Sequence, residues 1–221
     1  MENKQVVIID YGSGNLRSAE KAFEKVIADH DLPFEVLVTA DIEAVKKAGH
    51  IVLPGQGAFG DCMNGLQDVP DMIETLAQEV LVEKKPFLGI CVGMQLLADK
   101  GLEYGEHKGL GWISGQVAPI EPADPSLKIP HMGWNVVETQ NTHFMTKNQQ
   151  KGAHFYFVHS FMFESKEQDV VLGYAEYGDV TIPAIIAKNN IIGIQCHPEK
   201  SQAAGLQFLH DFLLWNPKAG M

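Results

Sequence analysis

A chain of 221 residues is long enough to bury a substantial core, and its 45% apolar and 20% charged residues match an ordinary globular composition. A formal net charge of −11, from 28 acidic against 17 basic residues with no block of lysine or arginine, argues against a nucleic-acid or anionic-membrane surface. No apolar run reaches bilayer-spanning length and the start "MENKQVVIID" lacks a signal-peptide pattern, so a cytoplasmic protein is expected.

The first half alternates between two periods. "KQVVIID" (4–10) is a β-branched run ending in a turn, and "LRSAEKAFEKVIADH" (16–30) has helical spacing of its apolar residues. Strand "FEVLV" (34–38), helix "DIEAVKKA" (41–48) and strand "HIVLPG" (50–55) follow. After a loop, "VPDMIETLAQEVLVEKK" (69–85) reads as a helix, "PFLGIC" (86–91) as a buried strand and "VGMQLLADKG" (92–101) as a helix stopped by glycine. This alternation implies βαβ units and a largely parallel sheet.

From about 109 the texture changes to short strands punctuated by Gly, Pro or Asn: "GLGWISGQVAPI", "HMGWNVVE", "AHFYFVHSFMF", "DVVLGYAEY" and "PAIIAKNNIIGIQC". These read as antiparallel additions, closed by a helix over "AAGLQFLHDFLLWN" (203–216). With no linker, repeat or low-complexity run, the expectation is a single α/β domain over 1–221, its central mixed, mostly parallel sheet flanked by helices.

Three cysteines, Cys62, Cys91 and Cys196, are too few and too scattered for a disulfide framework. No C-x-x-C or H-E-x-x-H pattern suggests a metal, and none is expected. "DYGSGNLRS" (10–18) contains G-x-G, but Arg17 occupies the third position of the dinucleotide fingerprint. A plain glycine turn before a helix capped near Ser13 or Asn15 is the stronger reading.

In "FLGICVGMQLL" Cys91 stands between a strand and a helix, with Gly89 and Gly93 two residues to either side. That spacing is a nucleophile elbow with cysteine in place of serine. The following helix's exposed N–H groups favour thiolate over thiol, and the N–H of Val92 points where an oxyanion would form. Taken alone, the pattern fits a buried cysteine before a tight turn equally well. Downstream, "IGIQCHPEKS" sets Cys196 beside His197 and Glu199. Successive side chains of a strand point to opposite faces, so Cys196 and His197 diverge. His197 and Glu199 share a side if the chain stays extended through Pro198. His197 then serves Cys91 as base, Glu199 orients it, and Cys196 is a small buried apolar residue, as Cys62 is.

"GICVGMQ" with "HPEKS" resembles the class I glutamine amidotransferases, and "PHMGWN" (130–135), "YFVHSF" (156–161) and "DYGSGN" (10–15) are similar to the branch of glutaminase subunits of imidazole glycerol phosphate synthases. The resemblance runs from about residue 5 to 215. It implies a flavodoxin-like fold and hydrolysis of glutamine through a thioester on Cys91, with His197 as acid and base, Glu199 as orienter, and no cofactor. It further implies an oxyanion and glutamine site made by Gly55, Gln56 and Gly57 of "LPGQGAFG" (53–60), with Val92, Gln95, His159, Ser160 and Phe161. The implied partner is a (β/α)₈-barrel cyclase that uses the ammonia. It would dock on Pro130, His131, Met132, Gly133, Trp134 and Asn135, with Asn15 and Lys200. Without a partner, Met132 and Trp134 read as core strand residues.

Two positions depart from the family pattern: Cys196 stands where phenylalanine is usual, and Phe161 where tyrosine is common. Losing a phenol could remove one hydrogen bond near substrate, worth about 1 kcal/mol. These departures raise a paralogue feeding another barrel synthase, such as one amidinating a nucleotide-linked sugar. A binding subunit without chemistry and a peptide-cleaving cysteine hydrolase fit less well. The first disagrees with an intact Cys91, His197 and Glu199, and the second leaves Gln95 and "PHMGWN" unexplained.

Overall fold

A computed structural model describes residues 4–139 and 143–220. The N-terminal half is β1 (Gln5–Ile9), α1 (Leu16–Asp29), β2 (Glu35–Thr39), α2 (Ile42–Lys47), β3 (His50–Gly55), α3 (Phe59–Asp68), α4 (Met72–Ala77), β4 (Phe87–Cys91) and the single turn α5 (Val92–Gln95). Then come β5 (Lys100–Gly101), β6 (His107–Lys108), β7 (Gly115–Pro119), β8 (His131–Val136), β9 (Glu138–Thr139), β10 (His154–His159) and β11 (Phe161–Ser165). The chain ends with β12 (Val171–Tyr177), β13 (Val180–Lys188), β14 (Ile191–Ile194) and α6 (Gln202–Leu214).

The main sheet runs β2-β1-β3-β4-β14-β13-β12-β9. Its first five strands are parallel, and β13, β12 and β9 are added antiparallel. Strands β3, β4 and β14 are buried along their whole length, as continuous apolar runs covered by helices on both faces should be. One continuous apolar cluster links this sheet to α1, α3 and α6.

Four local expectations change. The loop after Gly55 contains α3, whose Phe59, Cys62, Met63 and Leu66 are buried at helical spacing. Its glycines hide that periodicity, yet Gly65 is needed because a Cβ there would lie 2.7 Å from the Tyr11 carbonyl oxygen. The helix expected over 92–101 stops after one turn. The carbonyls of Leu96, Leu97 and Ala98 accept from the N–H groups of Leu110, Trp112 and Gly111 at 2.8–2.9 Å, so none is left to propagate it. The run 153–163 is two strands, not one: β10 pairs with β8 and β11 with β7, Ser160 forming the corner. Asn15 occupies the N-cap of α1 but makes no side-chain capping bond, and the Ser13 hydroxyl bonds Gln56 instead.

Candidate active site

Sheet register builds the site. Gly55 at the end of β3 pairs with Cys91 at the end of β4, and Ile90 pairs with Ile194 of β14. The glycine loop, the cysteine and the segment from Gln195 to Glu199 therefore emerge at one carboxyl edge of the sheet. Open α/β sheets place their ligands at that edge.

Cys91 has φ 55° and ψ −113°, a backbone conformation rare outside glycine. The strain is held by close backbone packing. An ideal Cβ on Gly93 would lie 1.8 Å from the Leu53 carbonyl oxygen, and one on Gly89 would lie 2.5 Å from the Gly93 oxygen. The elbow can form because both positions lack a side chain.

His197 is anchored by its N–H to the Tyr156 carbonyl at 2.9 Å, and its carbonyl accepts from the Ser201 hydroxyl at 2.6 Å. Its Nδ1 donates to Glu199 Oε1 at 2.8 Å. The chain is not extended through Pro198 as expected: Pro198–Lys200 form a tight helical turn, with proline suited to its first position. The pairing survives because that turn carries Glu199 back to the ring. Nε2 of His197 is buried with no hydrogen-bond partner among the described residues. Burial opposes the imidazolium, but interaction with Cys91 and Glu199 outweighs it and raises His197 to about 9. Cys196 is wholly buried, its thiol pushed well above the ordinary range by that burial.

A cavity of about 270 Å³ opens over Cys91 and His197. Gln56, Gly57, Val92, Gln95, Ser160 and Phe161 line it, while Gly55 lies behind the loop in β3. A larger hollow of about 500 Å³, around His50 and Trp215, lies at the opposite edge of the sheet. It holds none of the candidate catalytic groups, and the chemistry belongs to the smaller one.

His159 also borders the cavity, but both its nitrogens are used internally. Nδ1 is 2.8 Å from the Phe161 carbonyl oxygen and Nε2 is 3.0 Å from His131 Nδ1. A carbonyl only accepts, so His159 Nδ1 carries the proton. In the neutral ring Nε2 then accepts from His131, whose own Nε2 accepts from Asn135 Nδ2 at 3.2 Å. The ring of His159 thus offers the cavity no free nitrogen.

The docking strand also needs correction. His131 is 3% exposed and stacks on Phe157, so it serves the interior, while the half-buried Asn135 donates its amide to the Glu176 carbonyl. Alternation along β8 sends Met132 and Trp134 the other way, 66% and 48% exposed, so they are not core residues. Gly133 between them has φ 131°, and a Cβ built on it would meet only open space. Pro130 and Lys200 edge the cavity, and Asn15 borders a small hollow beside Glu199.

Four contributors escaped the sequence reading. Glu103 faces the cavity and accepts from the Phe59 N–H at 2.8 Å; an acid in the Gly-bounded "GLEYG" was its only signal. Ser13 and Cys62 both bond the Gln56 carbonyl, at 2.6 and 3.5 Å, holding the glycine loop in place. Gln195 lies beside Cys91, and the period of two that separated His197 from Cys196 would have put Gln195 on the His197 side.

These histidines set a pH window for stability. Burial lowers His50 and His131 to about 4 and His159 to about 3, so protons bound by the unfolded chain below its ordinary histidine pKa of about 6.5 are refused by the fold. Their contribution is present above that value and is lost as pH falls towards 3–4. His197, raised to about 9, contributes in the opposite sense, present below its unfolded value and lost as pH rises to about 9. Urea midpoints should therefore peak near neutrality, and His197→Ala should flatten the alkaline limb. An alkaline limb unchanged in that variant would contradict the His197 assignment.

The sequence profile of the class I glutamine amidotransferases matches residues 7–215. The imidazole glycerol phosphate synthase subunit HisH of Rhodospirillum rubrum is 53% identical over 214 residues, covering 96% of this chain and 100% of that one. The protein of the same name from Brucella melitensis biotype 1 is 48% identical over 217 residues, with 96% and 100% covered. Among solved structures, a glutamine amidotransferase superposes with TM-score 0.69 at 17% identity, covering 95% of this chain and 99% of that chain. Another, a glutamine amidotransferase from Thermotoga maritima, gives 0.58 at 17%, with 90% and 77% covered. These two speak for the fold, and the closer relatives for the lineage. The chain belongs to the class I glutamine amidotransferases.

Proposed function

We propose that this chain is the glutaminase subunit of an imidazole glycerol phosphate synthase, releasing ammonia from glutamine for a cyclase partner in histidine biosynthesis. The observation that carries the chemistry is Cys91 on its strained elbow, facing a His197 whose other nitrogen is held by Glu199. Relatives named for that synthase, at 48–53% identity over nearly the whole chain, favour it over the paralogue.

In this reading Nε2 of His197, raised to about 9, holds the proton given up by the Cys91 thiol, and Sγ attacks the side-chain amide carbon of glutamine. Glu199 stabilises the imidazolium so formed. Backbone N–H groups of Val92 and of the loop at Gln56 and Gly57 would face the developing oxyanion. Collapse breaks the C–N bond, His197 gives its proton to the leaving nitrogen, and ammonia departs. Water, deprotonated by His197, then hydrolyses the thioester to glutamate and restores the thiol. Glu103, a carboxylate at the cavity wall, is placed to neutralise the substrate's α-ammonium.

The cyclase would cover the cavity mouth. Met132 and Trp134 of β8 lie opposite Val158 and Tyr156 of β10, an apolar face continuous with Pro130 and Lys200 at the opening. Ammonia leaving Cys91 would pass into a partner seated there. As a large exposed aromatic, Trp134 is the expected anchor, and Trp134→Ala should weaken the complex by about 2 kcal/mol, roughly thirtyfold in Kd by titration calorimetry. Unchanged affinity would move the interface elsewhere. Among the described residues no helix is long and apolar enough to cross a membrane, and we place the complex in the cytoplasm.

The deciding assay measures glutamate release with and without the cyclase and its ribonucleotide substrate. Stimulation by that pair supports this reading. Activity indifferent to it would leave the glutaminase chemistry intact and assign the ammonia to another acceptor.

A further inference from the structure

Behind the cavity, a fixed carbonyl determines the direction of a whole chain of buried amides. The Phe161 carbonyl oxygen can only accept, so the Gln95 side-chain atom 3.0 Å from it must be Nε2. That same Nε2 lies 3.0 Å from a side-chain atom of Gln195, which must then be the acceptor Oε1. The amide of Gln195 is left with its NH₂ turned to Cys91, Nε2 to Sγ at 3.8 Å. His159 Nδ1 donates to the same Phe161 oxygen and keeps it in place. Gln195 itself is fully buried, with its backbone N–H on the Ala184 carbonyl at 2.8 Å, so the amide has no solvent alternative.

We infer that Gln195 is a positioning residue for glutamine hydrolysis, aiming an N–H at Cys91 Sγ with one end of its amide and fixing the flip of Gln95 with the other. Two consequences follow from the donor and acceptor inventory. First, an N–H directed at sulfur stabilises negative charge as the thiol proton leaves, and holds Sγ in one orientation on the elbow. Second, both N–H bonds of Gln95 are occupied, one by Gln195 and one by Phe161, so Gln95 presents only its Oε1 to the cavity. Gln95 therefore recognises an N–H donor of the substrate and rejects an acceptor at that place. A side chain outside the cavity wall thus sets both the nucleophile and one element of specificity.

This inference rests on the glutaminase reading for its substrate, and its test separates the two. Gln195→Glu keeps an acceptor for Gln95 but removes the N–H facing sulfur. Gln195→Met keeps the length of the side chain and removes both. In the cyclase complex, Gln195→Glu should lower kcat about tenfold or more with KM within about twofold, whereas Gln195→Met should lower kcat and also raise KM. Alkylation of Cys91 by iodoacetamide, followed by peptide mass in the isolated chain, should slow about tenfold in both variants. The native chain supplies a reading that does not depend on variant folding: alkylating Cys91 should shift the side-chain amide resonances of Gln195. Folded variants that react and turn over within about twofold of the native chain, or Gln195 resonances indifferent to alkylation, would overturn the inference. A native complex that released no glutamate would count against the glutaminase reading instead, since alkylation reports on Gln195 and Cys91 alone.

Discussion

Cys91→Ala is expected to reduce glutamine hydrolysis on the order of 10⁴-fold or more, because no other group in the cavity can form the thioester. Cys196→Ala should retain most activity, although the two cysteines are both buried and Cys196 is the one next to His197 in sequence. Cys196 is fully enclosed and held as a thiol by burial, so its loss removes packing and costs about 1 kcal/mol of stability. In the complete synthase an added ammonium salt should restore product formation to Cys91→Ala, since only ammonia supply is lost. Glutamate release and cyclase turnover, measured on both variants, test the whole assignment. Activity surviving in Cys91→Ala but not in Cys196→Ala would reverse it.

Gly93→Ala is the second large effect, and it acts without touching a reactive group. A Cβ there would sit 1.8 Å from the Leu53 carbonyl oxygen, a backbone atom of the buried strand β3 that has no rotamer to yield. Either α5 or β3 must shift, and the cost should reach about 4 kcal/mol or more by urea denaturation. In whatever fraction folds, Cys91 and the Val92 N–H are displaced from the loop at Gly55–Gly57. Hydrolysis should then fall at least about 100-fold, since positioning errors near 1 Å have that scale. Gly57→Ala provides the contrast. Its φ of 103° strains any side chain, but nothing lies within 4 Å of the added methyl, so stability should fall by only about 1–2 kcal/mol. A wild-type urea midpoint for Gly93→Ala would refute the close-packed elbow.

Much of the site could be read before any coordinates because its chemistry is written locally. Gly89 and Gly93 around Cys91 are neighbours in sequence, and so are His197 and Glu199. The runs 51–55 and 86–91 are apolar on every residue, and they became β3, with His50 at its start, and β4 nearly residue for residue. Periodicity failed where other demands overlay it. Gly60 and Gly65 broke the pattern of α3 to make room for His107 and Tyr11, and α5 ended early because a distant loop captured its carbonyls.

By itself the sequence determined which residue types can do nucleophilic chemistry, the alternation that makes His197 and not Cys196 face the nucleophile, and an α/β sheet with antiparallel additions. Only the tertiary structure decided that Cys91 and His197 share a cavity, that His131 and His159 look inward while Met132 and Trp134 look out, and that Gln195 joins Gln95 to Cys91. The physical reason is separation along the chain. A local pattern records which face of an element is buried, but a hydrogen bond between residues about a hundred positions apart, such as Gln95 to Gln195, exists only once sheet register has brought two strand ends level.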